Sequence, residues 1–411
     1  MSLRTLYVDL NSFFASAEQQ LRPELRGRPV GILPVMADTT CCIAASIDAK
    51  RFGVRTGTPV WQARKLCRDI VFVQARPAAY VDLHHRIVAA VESCTPVGEV
   101  LSIDEMACEL MGSERAEARA IALGKRIKRA IYAQVGEVLH CSIGIAPNRF
   151  LAKTASNMHK PDGLVVIRQQ DLPDCLYGLQ LGALNGIGRA MEARLRHLGI
   201  QTVEQLWAAG VDTLRRAWNG IEGERYHARL HGEAVASLPT QRASLGHSHV
   251  LPPDMRDPVS AQAVLYRLLH KAAMRLRHYR YTAGVLTLHL HYRDATQGHR
   301  NWVDQARFSP HADTFRFNAA LAELWQRRPA DTAPIVKLGI VFSRLVEASQ
   351  TTRDLFDPVD RHAGLNLTLD RVNQRYGPNT LYFGGAHKGR GAAPMRIAFS
   401  HIPELQVERD G

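Results

Sequence analysis

The spacing of apolar residues predicts alternating strands and helices over the first 167 residues. Residues 5–10 are mostly apolar and include Asp9, which is the pattern of a buried strand that ends at an acid. Ser113 can cap a helix whose packing face contains Ile121, Gly124, Ile127 and Ile131. Further strands are expected at residues 29–33, 41–45, 70–74, 99–103, 106–110, 139–145 and 164–167, and helices at 14–21, 46–52, 59–67, 80–94 and 149–158. This mixture predicts an α/β unit.

The pattern changes in the second half of the chain. Residues 168–232 are helical with short glycine turns, and residues 242–345 follow the order β-α-β-β-α-β. Two strands in that stretch alternate strictly, so we expect a sheet with one buried face and one polar face open to a ligand. The buried set is Leu286, Leu288, Leu290, Val336, Leu338, Ile340 and Phe342, and the open set is Thr287, His289 and His291.

Composition and charge indicate a partner. The 411 residues are enough for several compact units, and the net charge is +13. Residues 242–345 contain 15 Lys/Arg and 7 Asp/Glu, a net of +8. A polyanionic partner is expected, and nucleic acid is preferred over an anionic membrane because this stretch has no amphipathic anchor helix. The chain has neither a long apolar run nor a signal peptide, which predicts a cytoplasmic protein.

Cysteine usage excludes two classes of small scaffold. The seven cysteines include no Cys-x-x-Cys pair, so neither a disulfide framework nor a zinc ribbon is indicated. Cys41 and Cys42 are adjacent and could suggest redox chemistry, but small buried residues in a strand are the preferred interpretation.

Acidic residues stand at the ends of two predicted strands. Asp9 lies at the end of the first strand, and Asp104 and Glu105 follow the apolar run 100–103. Three carboxylates at neighbouring strand ends can bind two divalent cations, which is what phosphoryl transfer needs. Each motif alone has a simpler explanation, because Asp9 could cap a helix and an Asp-Glu pair in a hairpin turn is usually solvated. The case that these acids bind metal therefore depends on the sequence around them.

Four ordered segments resemble the Y-family, or translesion, DNA polymerases. They are residues 9–18 (DLNSFFASAE), 49–57 (AKRFGVRTG), 102–105 (SIDE) and 141–153 (CSIGIAPNRFLAK), the last continued by KPDG at 160–163. The resemblance extends over about residues 4–345. Asn11 and the IDAK run at residues 47–50 resemble the catalytic subunit of bacterial polymerase V more than polymerase IV.

The resemblance implies a right-hand polymerase in several domains. These are a palm (1–10 and 77–167), small fingers (11–76), a helical thumb (168–234), a little finger (241–345) and a C-terminal tail (346–411). It also implies that Asp9, Asp104 and Glu105, with the Leu10 carbonyl, hold two Mg²⁺ ions. The implied nucleotide contacts are Phe13, Phe14, Lys50 and Lys160, with Phe14 as the steric gate that excludes a 2′-hydroxyl.

Two positions in the finger segment depart from the family pattern. Many relatives carry a tyrosine and an arginine where this chain has Ile47 and Lys50. Lys50 keeps the positive charge but lacks the bidentate fork of arginine, and Ile47 cannot donate a hydrogen bond. The triphosphate contacts are therefore expected to differ from those of such relatives.

Two regions are expected to hold DNA. Gly186, Gly188 and Arg189 open a helix-hairpin-helix pattern, in which glycine lets backbone N–H groups approach a phosphate; residues 211–232 are a candidate second copy. The little finger is expected to lay Thr287 and His289 along the major groove. Its candidate phosphate contacts are Arg242, Arg275, Arg277, Arg280, Arg293, Arg300 and Arg307.

The tail suggests protein partners. Leu355 and Phe356 resemble a sliding-clamp peptide that lacks its leading glutamine, with a loop packed on its own domain as the alternative. Residues 369–377 and 381–383 resemble the C-terminal region of polymerase V catalytic subunits, which implies partner contacts such as an accessory activator.

The expected activity is low-fidelity synthesis across damaged DNA, using primer-template and deoxynucleoside triphosphates and no proofreading exonuclease. Two alternatives remain at this point. One is a catalytically silent DNA-binding scaffold, although such relatives lose the acids. The other is a different palm enzyme such as a nucleotidyl cyclase, against which the hairpin turn and the basic second half count.

Overall fold

The structure, a computed structural model, describes residues 2–236, 241–294, 298–329, 333–351, 362–392, 395 and 402–404. Its first part contains β1 (Thr5–Leu10), α1 (Phe13–Leu21), β2 (Val30–Leu33), β3 (Ala44–Ala45), α2 (Ile47–Arg51), α3 (Val60–Leu66), β4 (Val71–Gln74) and α4 (Pro77–Glu92). The chain continues with β5 (Glu99–Val100), β6 (Glu105–Glu109), α5 (Glu117–Gln134), β7 (Cys141–Ala146), α6 (Arg149–Met158) and β8 (Leu164–Val166).

The palm is built on a five-stranded sheet of order β5-β6-β1-β7-β8. Its central strand β1 is covered on both faces. Leu6 and Val8 are buried in a core shared with α4 and α5, while Tyr7 belongs to a second core that contains residues of α6. Because side chains alternate along a strand, Asp9 shares the face of Tyr7 and lies on the α6 side.

The fingers contain a small sheet of order β3-β2-β4, packed with α2 and α3. Two strands that we expected are shorter. Only Ala44 and Ala45 of the segment 41–45 pair in the sheet, and Cys41 forms an isolated bridge with Pro59. The predicted strand 99–103 ends at Val100, because the next residues make the turn that leads into β6.

The helix cap predicted at Ser113 is wrong. Ser113 lies in a 3₁₀ turn over Gly112–Arg115, and α5 begins at Glu117 after Ala116. The Ser113 hydroxyl instead accepts a hydrogen bond from Arg119. The packing face of α5 does include Gly124, Ile127 and Ile131, as the spacing indicated.

The helical segment and the second sheet follow in the predicted order. The helices are α7 (Asp174–Tyr177), α8 (Arg189–His197), α9 (Val203–Ala208), α10 (Val211–Trp218) and α11 (Ile221–Leu230). The little finger contains β9 (Ser244–Val250), α12 (Pro258–His278), β10 (Tyr281–Asp294), β11 (Gly298–His311), α13 (Thr314–Gln326) and β12 (Ile335–Glu347), and α14 (Ala363–Tyr376) comes after it. Its sheet has the order β11-β10-β12-β9, and α12 and α13 cover one face.

The one-sided sheet is confirmed, with one correction. The three leucines of β10 are buried, as are Leu338, Ile340 and Phe342, whereas Thr287, His289 and His291 are partly exposed. Val336 is only half-buried. The register shifts between His291 and Tyr292, so that Ile335 pairs with Tyr292 and takes the buried position.

No helix among the described residues is both long enough and apolar enough to cross a membrane.

Candidate active site

The ends of two antiparallel strands bring the predicted acids together. β1 pairs with β6 in a register that places Asp9 directly opposite Glu105, and the Leu10 amide donates a hydrogen bond to the Asp104 carbonyl oxygen at 2.9 Å. Directly opposed side chains in an antiparallel pair lie on the same face. The carboxylates of Asp9 and Glu105 therefore meet on the α6 side of the palm sheet, although 95 residues separate them in the sequence.

Two lysines compensate these carboxylates. The Lys153 ammonium, from α6, donates to Asp9 Oδ2 at 2.5 Å and also to Glu105 Oε1. Lys160 lies 2.7 Å from the other oxygen of Asp9. Burial lowers the pKa of Lys153, but the charges of Asp9 and Glu105 outweigh it and the net direction is upward. Lys153 is thus a firmly protonated counter-ion of the acidic pair.

Asp104 lies beside this pair in a different environment. Its Oδ1 accepts a hydrogen bond from the Ser102 hydroxyl at 2.6 Å. Burial raises the pKa of Asp104, the Ser102 hydrogen bond opposes the rise, and the charges of Glu105 and Asp9 add to it. A carboxylate held in this way gains from a bound cation, because the cation offsets both burial and like-charge repulsion.

The donor set suits a hard divalent cation. Carboxylate oxygens are the ligands that Mg²⁺ and Ca²⁺ prefer, and two of the acids already converge on one positive charge, the Lys153 ammonium. The described residues hold no ready cluster of three His, Cys, Asp or Glu side chains for a metal. The chemical types of these residues therefore suit a divalent ion. The side chains of Asp104 and Lys153 would have to rotate for the three acids to bind it.

The aromatic residues of the first motif are buried in the core at the start of α1. Phe14 stacks on Tyr80 of α4, with ring centroids 4.7 Å apart and an angle of 17° between the ring planes. The Tyr80 hydroxyl donates to the buried Glu18 carboxylate, which also accepts two hydrogen bonds from Arg76. Phe13 is likewise buried, 6.0 Å from Phe14 between centroids. The ring predicted to be the steric gate is therefore packed against Tyr80, which is itself tied to a buried ion pair.

Lys50 faces the same site. Burial lowers the pKa of Lys50, and the positive charge of Lys160 lowers it further, while Asp9 and Asp104 oppose the shift. These interactions indicate that Lys50 lies near Lys160 and the acids, and its contact with the triphosphate stays a prediction. Ile47, at the start of α2, supplies no polar group where many relatives have one.

Two residues of the site were not assigned a role from the sequence. Asn11 is buried: its amide donates to Ser142 Oγ at 3.0 Å, and its Oδ1 accepts from the Asp162 amide at 2.7 Å, which ties the loop that carries Lys160 to β1. Lys153 is the other. A lysine among the buried residues of a helix, Phe150 to Ser156, was the signal that a negative partner lies nearby.

The helix-hairpin-helix turn has the expected backbone. Gly186 has a φ of +87°, which favours glycine, and α8 begins directly after Gly188. Both glycines and Arg189 are exposed, whereas Ile187 is buried. The candidate second copy contains the helix pair α10 and α11, joined through Asn219 and Gly220, both at positive φ.

The polar face of the little finger lies towards the fingers. His289 and His291 line a cavity of about 640 Å³ together with Pro34, Cys41 and Ile43. Arg256 of the little finger also donates to Thr39 Oγ1 at 2.7 Å. In this arrangement the expected DNA-binding face is turned towards the fingers and keeps a wide space in front of it.

The candidate phosphate contacts divide into exposed and buried arginines. Arg280, Arg293, Arg300 and Arg307 are exposed, and Arg242 is half-buried over the Tyr279 ring, 3.9 Å from its centroid. The prediction was wrong for two others on α12. Arg277 makes a bidentate pair with Asp370 of α14, and Arg275 is only 3% exposed. Leu355 and Phe356 lie outside the described residues.

The palm sheet with its grouped acids, the helical hairpins and the second, basic sheet define the class as a palm-type DNA polymerase with an added β-α-β-β-α-β domain. Residues 8–157 match the model of the impB/mucB/samB family, and residues 242–355 match the model of its C-terminal domain. The DNA polymerase IV of Moorella thermoacetica is 33% identical over 386 residues, which cover 92% of this chain and 94% of that protein. The chain therefore belongs to the impB/mucB/samB family, the Y-family DNA polymerases.

Other similarities agree with this assignment. DNA polymerase IV 1 of Bacillus subtilis is 29% identical over 397 residues, covering 93% of this chain and 92% of that protein. A Y-family polymerase chimera of Dbh and Dpo4 has the same fold, with a TM-score of 0.68 at 24% identity over 84% of this chain and 99% of that chain. DinB from Sulfolobus solfataricus has a TM-score of 0.52 at 23% identity, with the same two coverages of 84% and 99%.

Proposed function

We propose that this chain is a DNA-directed DNA polymerase that extends primers across damaged templates. The observation that carries the proposal is the register of β1 and β6, which sets Asp9 opposite Glu105 with Asp104 adjacent, inside a chain of the Y-family. The catalytically silent scaffold is not favoured, because the three acids are present and the relatives described above are named as polymerases.

Each part of the site has a role in this reaction. Asp9, Asp104 and Glu105, with the Leu10 carbonyl, would hold divalent ions, which when bound neutralise charge on the triphosphate and favour the attacking 3′-hydroxyl. Lys160 and Lys50 present positive charge to the triphosphate. Phe14, backed by Tyr80, closes the side of the site where a 2′-hydroxyl would lie.

DNA would be held at two surfaces. The N–H groups at Gly186 and Gly188 and the start of α8 suit a backbone phosphate, with Arg189 beside them. The polar strand face with Thr287 and His289, together with exposed arginines such as Arg293, would contact the duplex after the little finger moves away from the fingers. A basic surface of this kind gives binding that weakens steeply with salt.

Several finer assignments are also part of the proposal. Family members use divalent metal ions, and we propose two Mg²⁺ ions here. A sliding clamp bound through Leu355 and Phe356, an accessory activator, and a cytoplasmic location remain predictions. The closer relation to polymerase V, expected from Asn11 and residues 47–50, is not supported by the relatives described above, which carry the name DNA polymerase IV.

Primer extension with matched variants tests the proposal. Wild type should extend a labelled primer on an undamaged template and past an abasic site, and Asp104→Ala should be slower by roughly 10²-fold or more because a charge-stabilising group is lost. Asp82→Ala, an exposed aspartate on α4, is the control and should match wild type. Equal extension by Asp104→Ala and wild type would contradict the assignment. Nucleotide turnover without any primer would instead indicate a cyclase.

A further inference from the structure

Lys153 occupies the space between two of the acids. Its ammonium is hydrogen-bonded to both Asp9 and Glu105, lies 5.1 Å from the centroid of the Tyr7 ring, and belongs to a side chain that is 13% exposed. The Tyr7 hydroxyl donates to the second oxygen of Glu105 at 2.7 Å. One positive charge on a flexible stem therefore holds the two carboxylates together.

An ammonium and a divalent cation cannot share that space. Mg²⁺ requires oxygen ligands at about 2.0–2.1 Å, and a second cation between the same oxygens would be repelled strongly in a buried site. Any divalent ion that binds both Asp9 and Glu105 must therefore displace the Lys153 ammonium. Lysine suits such a change, because it is a point charge on four rotatable methylenes.

A polar cavity lies next to this position. The palm–thumb cavity, about 290 Å³, is lined by Tyr7 and Lys153 on the palm side and by Gly186, Tyr226 and Arg229 on the thumb side. The Tyr226 hydroxyl is buried, in a residue that is 2% exposed, and neither it nor Arg229 Nε has a hydrogen-bond partner among the described residues. Buried polar atoms without partners are rare and indicate a missing ligand or water.

The cations around this cavity are paired while Lys153 stays between the acids. Arg149 pairs with Glu99, Arg229 with Glu222, and Lys153 with Asp9 and Glu105, so a Lys153 ammonium turned away from the acids would add an unbalanced positive charge that favours an anion. The Tyr226 ring also supports the helix-hairpin-helix turn, since its Cε2 lies 3.5 Å from where a β-carbon on Gly186 would be. The cavity is thus continuous with a turn whose N–H groups suit a phosphate.

We propose that Lys153 is a displaceable counter-ion, held between Asp9 and Glu105 while no divalent cation is bound and turned into the palm–thumb cavity, onto a backbone phosphate of the primer-template, when a divalent cation takes its place. The inference rests on the proposed function for its nucleic-acid ligand but not for its metal-binding part. Lys153 would then couple the binding of a divalent cation at the acids to the binding of DNA.

Metal binding without DNA tests the first part. Mn²⁺ is titrated into DNA-free and nucleotide-free protein, and free Mn²⁺ is measured by electron paramagnetic resonance. Lys153→Met should bind Mn²⁺ roughly tenfold more tightly than wild type, because the competing hydrogen-bonded ammonium is gone. Lys128→Met, which removes a palm lysine paired with Asp162, is the control and should match wild type. Equal or weaker Mn²⁺ binding by Lys153→Met would overturn the proposal.

A second variant guards against misfolding. Lys153→Gln keeps a polar side chain and removes the charge, so it should also bind Mn²⁺ more tightly than wild type. Thermal melts with and without Mn²⁺ should show a larger stabilisation by Mn²⁺ in both Lys153 variants than in Lys128→Met. A stabilisation no larger than that of the control counts against the proposal.

Salt dependence of primer-template binding tests the second part. In Ca²⁺, the slope of log K against log salt should be shallower for Lys153→Met than for wild type by about 0.9, the value for one phosphate contact. In EDTA the two proteins should have equal slopes. Equal slopes in Ca²⁺, or the same difference in both buffers, would overturn the phosphate contact. The Mn²⁺ experiment needs no polymerisation, so failure of wild type to extend primers would contradict the proposed function alone.

Discussion

Replacement of Glu18 by glutamine should loosen the packing of Tyr80 against Phe14, the proposed steric gate. The Glu18 carboxylate is fully buried in α1 and accepts hydrogen bonds from Arg76 at 2.9 and 2.7 Å and from the Tyr80 hydroxyl at 2.8 Å. Tyr80 in turn stacks on Phe14. One buried negative charge therefore joins α1 to α4 and holds the ring that packs against Phe14.

The size of the effect follows from these contacts. Breaking a buried ion pair costs about 3–5 kcal/mol when a charge is left without a partner. Arg76 is 39% exposed, so water recovers part of that loss, and glutamine can still accept from Tyr80. We expect Glu18→Gln to lower the free energy of unfolding by about 2 kcal/mol, and Glu18→Leu by about 3–4 kcal/mol because the Tyr80 hydroxyl also loses its acceptor.

Urea unfolding followed by circular dichroism measures this loss. Glu117→Gln removes a surface pair with Arg168 and is the matched control, for which no change in midpoint is expected. The ratio of ribonucleotide to deoxynucleotide insertion should also rise in Glu18→Gln, since the ring behind Phe14 is less firmly held. A midpoint equal to that of the control, or unchanged sugar selection with a large loss of stability, would refute the reasoning.

Three further predictions test the gate, the little finger and the helix that carries Lys153. Phe14→Ala should raise ribonucleotide insertion roughly tenfold or more in single-turnover assays, and unchanged sugar selection would show that the gate lies elsewhere. Burial lowers the pKa of His270 to about 4. Between pH 6.5 and 4 the unfolded chain therefore binds a proton that the folded chain does not, so the free energy of unfolding falls as the pH falls. In urea unfolding, His270→Gln should remove about 2 kcal/mol of the stability loss between pH 7 and pH 5. A β-carbon at Gly144 would overlap the Ala152 carbonyl oxygen of α6. Gly144→Ala should therefore push α6 outward and lower the free energy of unfolding by about 1–3 kcal/mol. A urea midpoint equal to that of wild type would contradict the close contact between β7 and α6.

Much of the fold could be predicted from the sequence because its information is local. The alternation in β10 determined which residues face the core, and the bounds of α6 agree with the predicted 149–158. The order β-α-β-β-α-β was also correct, since each element carries its own period and its own turn residues. The prediction that three acids meet came from strand ends and family resemblance; the register of β1 and β6 sets Asp9 opposite Glu105, while the convergence of all three acids on a metal stays a prediction.

Two of the errors arose where contacts between distant segments decide. Arg277 is one of several arginines on a basic stretch, and only the packing of α14 shows that Asp370 buries it in a bidentate pair. Ile335 rather than Val336 lies in the core because a register shift inserts one position beside Tyr292. A period of two cannot reveal such a shift, since both phases look equally apolar at that point.

The sequence by itself determined the class of fold, the acids and the family, because periodicity and short motifs are properties of neighbouring residues. The tertiary structure decided how the site is charged. The sequence motifs gave neither Lys153 nor Asn11 a role, yet α6 and the loop with Lys160 approach the end of β1, which makes Lys153 a counter-ion and lets Asn11 bind the Asp162 amide. The physical reason is that burial and Coulomb interactions depend on which groups meet in space, and spacing along the chain does not specify that.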